Sequence, residues 1–355
     1  RARKMTEGTF AADVPVGSEH HQFTGRVSHA LTPTTTATIS GTYYTEDRSF
    51  GTASSHGTRV IGAVSLGLKG DQGMWGTWEA KTFAQWQTFR NQSGLVLPSP
   101  FLRQFDQLDR VQTIPSNDVG GMAQWSAPFL SFSRIVVGGD ARAILAHSEE
   151  LLVSSQTRSV TRGKQVGIGT FGEWIIEPID AWVLTAGARW DWWKNFGGSR
   201  TAGSGATGET QDNVASIINP KFSLLYRIHE RVRVGASVYQ AFRAPTLNEL
   251  YRDFSSSGFA FLSNERLEPE RLTGGDMKVE LELLPRGLLD FRATGHYDVI
   301  KDQILFVTQG LTSAMRQNIG EGRSIGTDVE LRSRPDERLS MAVGYSFVDS
   351  IITSF

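Results

Sequence analysis

Long runs in which apolar and polar side chains strictly alternate dominate this chain of 355 residues. The run over residues 339–347 places Leu, Met, Val, Tyr and Phe at every second position. Runs with the same period of two begin near residues 182, 232 and 289. Because successive side chains of a β-strand point to opposite faces of the sheet, these segments are predicted to be strands with one apolar and one polar face.

Alternation alone does not say which face is buried. In a soluble sandwich the apolar face points inward, whereas in an outer-membrane barrel it meets lipid and the polar face lines a wet lumen. Length favours the barrel, because several runs exceed the roughly 5–6 residues of a globular strand and reach the roughly 9–11 needed to span hydrocarbon. Trp182 lies at one end of its run and Trp190 and Trp192 at the other, as in two interfacial girdles, although cross-strand aromatic packing would give the same spacing.

The predicted connections alternate between short and long. The short ones lie near residues 31–34, 69–72, 128–131, 177–180, 228–230, 285–287 and 333–336. The long ones lie near residues 46–56, 88–109, 147–160, 194–212, 244–270 and 308–316. Outer-membrane barrels have short periplasmic turns and long external loops, so we predict an all-β, transmembrane antiparallel β-barrel with about fourteen complete strands and a short strand near residues 6–12.

Composition and motifs exclude several other functions. The chain has no Cys and a net charge of −1, which removes thiol chemistry, Cys-ligated metals and an electrostatic basis for binding nucleic acid. The histidines lack metal-ligand spacing, and no segment approaches the roughly 18 apolar residues of a membrane helix. The glycine-rich stretch at residues 167–172 lies inside a predicted strand, so it does not indicate a nucleotide site. We therefore expect no enzyme activity, no cofactor and no metal site.

The most specific signal is the segment AFRAPTLNELY at residues 241–251, followed by Asn264, Leu267 and the Gly-Gly-Asp at 274–276. This set resembles the β-barrel of TonB-dependent outer-membrane receptors, and the resemblance extends over residues 18–350. One position departs from the pattern, because the family usually has Glu where this chain has Asp276. The motif residues are Phe242, Arg243, Ala244, Pro245, Asn248, Glu249, Tyr251, Pro269, Glu270 and Asp276.

The resemblance implies a bacterial outer-membrane barrel of about 22 strands with an N-terminal plug in its lumen. Residues 1–355 would then be a barrel region of about 15 strands, truncated at both ends and without the plug. It also implies active import of a scarce large ligand, such as a ferric siderophore, cobalamin or another metal chelate. The implied partners are the TonB–ExbB–ExbD complex, acting through the plug, and outer-membrane lipid and lipopolysaccharide around a monomer. A passive, porin-like channel is the alternative, which a plug encoded upstream would exclude.

Individual residues follow from the predicted faces and connections. We expect Arg243 to pair with a carboxylate of a neighbouring strand rather than with ligand, and Asn248, Glu249 and Tyr251 to order the connection that follows. The residues predicted to face lipid include Leu184, Ala186, Val234 and Tyr345. Aromatic residues of the external connections are candidate ligand contacts, although packing within the loops would explain them equally: Phe89, Phe101, Trp193, Phe196, Tyr251, Phe254, Phe259 and Phe261.

Overall fold

The computed structural model describes residues 10–98, 101–201, 207–256 and 259–354. Besides strands it contains one short helix, α1 (Leu247–Tyr251), and two single 3-10 turns, Gly73–Trp75 and Pro285–Gly287. Across these described ranges no helix is long and apolar enough to cross a membrane. The strands are β1 (Gly17–Thr32), β2 (Thr35–Ser49), β3 (His56–Asp71), β4 (Thr77–Leu97), β5 (Phe105–Leu130), β6 (Ser133–Leu152), β7 (Thr157–Ile179), β8 (Trp182–Thr201), β9 (Thr207–Glu209), β10 (Asn213–His229), β11 (Val232–Arg243), β12 (Phe254–Ser256), β13 (Phe259–Leu262), β14 (Glu270–Leu284), β15 (Leu289–Lys301), β16 (Ile304–Gly310), β17 (Ser313–Asn318), β18 (Glu321–Ser333) and β19 (Met341–Ser354).

One antiparallel sheet of 15 strands forms the body of the molecule. Its hydrogen-bonded path runs from β1 to β8 and then through β10, β11, β14, β15, β18 and β19, with β9 paired to β8 beside the path. The remaining strands form a second sheet in the order β12, β13, β17, β16. Consecutive long strands therefore pair with each other, which confirms the all-β antiparallel fold predicted from the alternation.

Cross-strand register gathers apolar side chains on one face of the main sheet. One row runs across seven strands through Trp182, Tyr226, Val234, Val279, Ala293, Val329 and Tyr345. Val238 is 59% exposed and Met277 is 72% exposed on this face. Soluble proteins rarely expose a contiguous apolar surface of such extent, so the row agrees with a face turned to lipid.

The opposite face of the same strands is polar and charged. Arg233 lies opposite Glu280, and Glu280 lies opposite Arg292 on the next strand. Glu280 is within salt-bridge distance of both, at 3.2 Å from Arg233 Nε and 3.8 Å from Arg292 Nε. Charge pairs that cross strands in this way line the polar side of an outer-membrane barrel.

The short turns fall where they were predicted, but four predicted long loops are largely strand in their described parts. β4 continues to Leu97 before β5 begins, and β6 continues to Leu152 before β7 begins. Residues 194–201 belong to β8 and residues 207–209 are β9, and residues 308–316 lie mainly in the hairpin of β16 and β17. Polar pairs hold the extensions, such as Arg158 Nη2 to Glu149 Oε2 at 2.8 Å. Both faces of a hairpin beyond the lipid meet water, so its sequence lacks the alternation that marks the membrane part.

The predicted short strand at residues 6–12 is not formed in its described part. Phe10–Ala12 make a turn, and Asp13 forms only an isolated bridge with Thr52. Arg103 donates from Nε to Asp13 Oδ1 at 2.7 Å, which fastens this segment to the connection between β4 and β5. Residues 6–9 of the prediction lie outside the described residues.

Candidate functional site

The connection between β11 and β14, residues 244–269, carries most of the motif found in the sequence. Pro245 has no backbone N–H, so the strand ladder ends there. Thr246 then caps α1: its hydroxyl accepts from the Glu249 backbone N–H, and the Glu249 carboxylate accepts from the Thr246 backbone N–H at 2.8 Å. This reciprocal pair is a capping box, which holds so short a helix in place.

Arg243 links the end of β11 to that helix and to the next strand. Its Nε donates to Glu270 Oε2 at 2.6 Å, and Glu270 is the residue directly opposite it on β14. Its Nη1 donates to Glu249 Oε2 at 3.0 Å. Burial favours the neutral form of Glu249, but Arg243 and Thr246 outweigh burial, so the pKa of Glu249 lies below its ordinary value. Arg243 therefore makes structural pairs with two carboxylates.

A small apolar core fixes the β11–β14 connection onto the barrel wall. Tyr251 and Leu250 are each 1% exposed, Leu267 is 0% exposed, and Trp193 of β8 completes the group. Tyr251 fits because two wall residues are glycines. A Cβ on Gly163 would lie 2.8 Å from Tyr251 Cδ2, and a Cβ on Gly198 would lie 2.9 Å from its Cε1. Trp193 and Tyr251, two of the candidate ligand contacts, thus lie inside the loop core in this structure.

The second sheet assembles phenylalanines from distant parts of the chain. Phe254 stacks on Phe261 with ring centroids 4.7 Å apart, and Phe306 of β16 meets Phe261 edge-on at 5.1 Å. Phe259 lies 5.2 Å from Phe261. The structure therefore brings together three of the candidate contacts from the sequence. Phe196 lies apart from them, with the ammonium groups of Lys164 and Lys194 about 6 Å from its ring centroid.

Three arginines border this aromatic group, and we call Arg110, Arg252 and Arg316 the arginine cluster. Arg316 lies 4.5 Å over the Phe306 ring, and Arg252 lies 5.5 Å over the Phe254 ring. Arg110 reaches from β5 to the second sheet by donating from Nη1 to the Ser255 carbonyl at 2.9 Å. Sequence reasoning missed the cluster because its members come from β5, the β11–β14 connection and β17, and no local pattern joins them.

A cleft of about 280 Å³ lies between α1 and the inner wall of β5 to β7. Its apolar lining includes Ile114, Ala146, Leu247 and Tyr251, and Arg252 borders it. The cleft therefore joins an apolar pocket to the charged group above it, which is the usual composition of a small-molecule site.

Further down the polar face, charged groups are satisfied by one another. Arg189 donates from Nη1 to Asp140 at 2.7 Å and from Nε to Asp191 at 2.8 Å. Asn219 donates to the second oxygen of Asp191 at 3.2 Å. Within the described part of the chain, no group of three His, Asp or Glu side chains is arranged to hold a metal ion.

A lipid-facing sheet with short turns at one end and folded connections at the other defines the wall of an outer-membrane β-barrel. The family model described as TonB dependent receptor-like, beta-barrel, matches residues 7–354, and this chain belongs to that family. The family comprises receptors and transporters rather than enzymes, and it places the chain in the outer membrane of a Gram-negative bacterium. No curated protein sequence matches this chain.

Solved structures share the fold at low sequence identity. The copper transporter OprC is 14% identical with a TM-score of 0.75, over 98% of this chain and 56% of that one. The ferric-catecholate import receptor Fiu from K12 E. coli is 11% identical with a TM-score of 0.75, over 97% and 59%. The ferripyoverdine receptor of the outer membrane of Pseudomonas aeruginosa is 12% identical with a TM-score of 0.72, over 95% and 50%. This chain thus spans little more than half the length of these structures.

Proposed function

We propose that this chain is the barrel of a TonB-dependent active transporter that imports a metal chelate, such as a ferric siderophore or cobalamin. The observation that carries the proposal is the folded β11–β14 connection, which packs against the barrel wall and places aromatic rings and arginines beside a cleft. The similar structures named above include a copper transporter and a ferric-catecholate import receptor. A receptor for a scarce ligand needs such a preformed site, because binding must precede transport.

Transport against a gradient needs partners outside the described residues. In this proposal a plug fills the lumen and recruits TonB, ExbB and ExbD, and lipopolysaccharide surrounds a monomeric barrel. The polar face supports a plug, since its side chains offer many hydrogen-bonding groups between the ion pairs. A wet, polar lumen also suits a passive channel, so the experiment must separate the two functions.

The deciding experiment is uptake of radio-iron chelates by cells that carry the full-length gene. Uptake that stops when TonB is deleted, or when the proton gradient is collapsed, supports active transport. Uptake that continues unchanged in both conditions identifies a passive channel and refutes the proposal. No uptake of any chelate by cells with correctly inserted receptor also refutes it.

Sidedness is tested by labelling single cysteines, which the absence of native Cys makes simple. Arg266 in the β11–β14 connection and Arg286 in a short turn are both exposed. An impermeant maleimide applied to intact cells should label Arg266→Cys and spare Arg286→Cys. The reverse pattern would place the connection in the periplasm and would remove the basis for ligand capture from outside.

A further inference from the structure

The arginine cluster holds more positive than negative charge. Glu150 is the carboxylate nearest to two of its members, with Oε1 at 3.6 Å from Arg110 Nε and Oε2 at 4.0 Å from Arg252 Nη2. Both distances exceed that of a hydrogen bond. Two of the three guanidinium groups therefore share one loosely placed carboxylate, and a guanidinium stays protonated in proteins.

Other carboxylates near the cluster are already paired. Asp253 lies 2.8 Å from Arg200 Nη1, and its other oxygen accepts from Ser263. Glu249 is held by Arg243 and by the cap of α1. Both acids attract Arg316 only from a distance. Arg243 divides its charge between Glu249 and Glu270. With Arg243 and Arg200 counted, five guanidinium groups therefore face four carboxylates, which leaves an excess of about one positive charge among these described residues.

This excess is placed where water solvates it poorly. Arg316 is 8% exposed, and the side chains of Arg110 and Arg252 are 16% and 22% exposed. Arg110 Nε is buried and has no hydrogen-bond partner. Burial lowers the pKa of Arg252, the charge of Glu150 opposes this, and the like charges of Arg110 and Arg316 add to the lowering. Burial likewise lowers the pKa of Arg316. A bound anion would relieve both the desolvation and the repulsion.

We propose that the arginine cluster selects a ligand of net negative charge, so that the chelate captured here is an anion whose apolar part enters the adjoining cleft. This inference rests on the function proposed above and narrows its substrate class. The guanidinium carbons of Arg252 and Arg316 lie 5.5 Å and 4.5 Å over phenylalanine rings, so the anion would meet aromatic surface beside the positive charges. The apolar lining of Ile114, Ala146 and Leu247 continues that surface inward.

The test compares two probes of different charge on the full-length receptor. The probes are a trianionic ferric tris-catecholate and an uncharged ferric tris-hydroxamate, and quenching of tryptophan fluorescence measures binding. Arg252→Gln should weaken the trianionic probe by roughly tenfold or more and change the uncharged one by less than about threefold. Arg266→Gln is the matched control, because it removes one exposed arginine from the same connection and should leave both affinities unchanged.

A variant that is expected to tighten binding distinguishes the proposed charge effect from simple misfolding. Glu150→Gln removes the carboxylate that the cluster shares, so it should tighten binding of the trianionic probe, whereas a merely damaged loop would weaken it. Arg252→Lys keeps the charge and should restore part of the affinity. Binding of the uncharged probe alone, or equal losses for both probes, would overturn the inference and leave the proposed function standing. Binding of neither probe, together with absent uptake of any chelate, would refute the proposed function and the inference together.

Discussion

Tyr251 should control whether the β11–β14 connection stays docked on the barrel wall. Its ring is 1% exposed and packs against the glycines at 163 and 198. Replacing a fully buried aromatic side chain by Ala costs about 3–5 kcal/mol. We expect Tyr251→Ala to lose about this much docking free energy, measured as faster hydrogen exchange over residues 244–269. Exchange in the barrel strands should change little, because their ladder hydrogen bonds do not involve this ring.

Gly163 on β7 forms the wall side of the contact with the Tyr251 ring. An added Cβ would lie 2.8 Å from Tyr251 Cδ2 and 3.1 Å from Leu247 Cδ2, so the ring must shift. Overpacking of this kind costs about 1–3 kcal/mol. Gly163→Ala should therefore undock the connection in part, whereas Gly167→Ala on the same strand should have no effect, since nothing lies within 4 Å of its Cβ position.

The double variant provides the decisive comparison. If the two residues act through one contact, adding Gly163→Ala to Tyr251→Ala should cost almost nothing more. Fully additive losses would show that the glycine matters for another reason and would refute this account of the docking. Wild-type exchange in Tyr251→Ala would refute it directly.

Two further perturbations test the faces and the charges. Val238→Arg on the apolar face should lower the unfolding free energy of the full-length receptor by about 2–4 kcal/mol, measured by urea titration in lipid. The control Ser237→Arg, which lies beside Asp276 on the polar face, should lower it by less than about 1 kcal/mol. The opposite order would mean that the faces are inverted. In wild type, the pKa of Glu249 is lowered in the docked connection, so docking is strongest above its ordinary value of 4.5 and weakens as pH falls through the lowered pKa. Arg243→Gln leaves only the Thr246 hydrogen bonds to oppose burial, so the pKa of Glu249 should rise. Docking should then be weaker by about 1–2 kcal/mol at neutral pH, allowing for the half-exposed arginine, and should lose less on acidification than in wild type. Hydrogen exchange that slows with acid in wild type would contradict this.

The membrane-spanning part of the fold could be predicted because lipid imposes its pattern residue by residue. Val234 and Tyr345 belong to one apolar row, and alternation was enough to place both. The hairpins beyond the lipid could not be predicted in the same way. Leu152 and Thr157 mark a tight turn inside a segment expected to be loop, and the polar residues around it satisfy each other across strands that water reaches from both sides.

In the candidate site, too, only the features that depend on local sequence could be predicted. The cap of α1 has a local signal, because Thr246 and Glu249 have the spacing of a capping box, but the helix itself was not predicted and only Glu249 was named as ordering the connection. The candidate contacts at Phe254 and Phe261 were named individually, but only the fold brings Phe306 to them. The cluster of Arg110, Arg252 and Arg316 depends on contacts between distant connections, which no single-sequence pattern encodes.

Asn248 connects the docked helix to the arginine cluster. Its backbone carbonyl accepts from Arg316 Nη1 at 3.2 Å, and its side-chain oxygen accepts from Arg252 Nη1 at 3.4 Å. Tyr251 holds α1, and therefore Asn248, against the barrel wall. The packing of Tyr251 thus also sets the spacing of the Arg252 and Arg316 guanidinium groups, which repel each other. Docking and anion binding are therefore coupled: an anion bound at the cluster should strengthen docking, and by reciprocity Tyr251→Ala should weaken binding of the trianionic probe although its ring lies in the loop core. If Tyr251→Ala undocks the connection but binds the trianionic probe as tightly as wild type does, docking and anion binding are independent and Asn248 does not couple them.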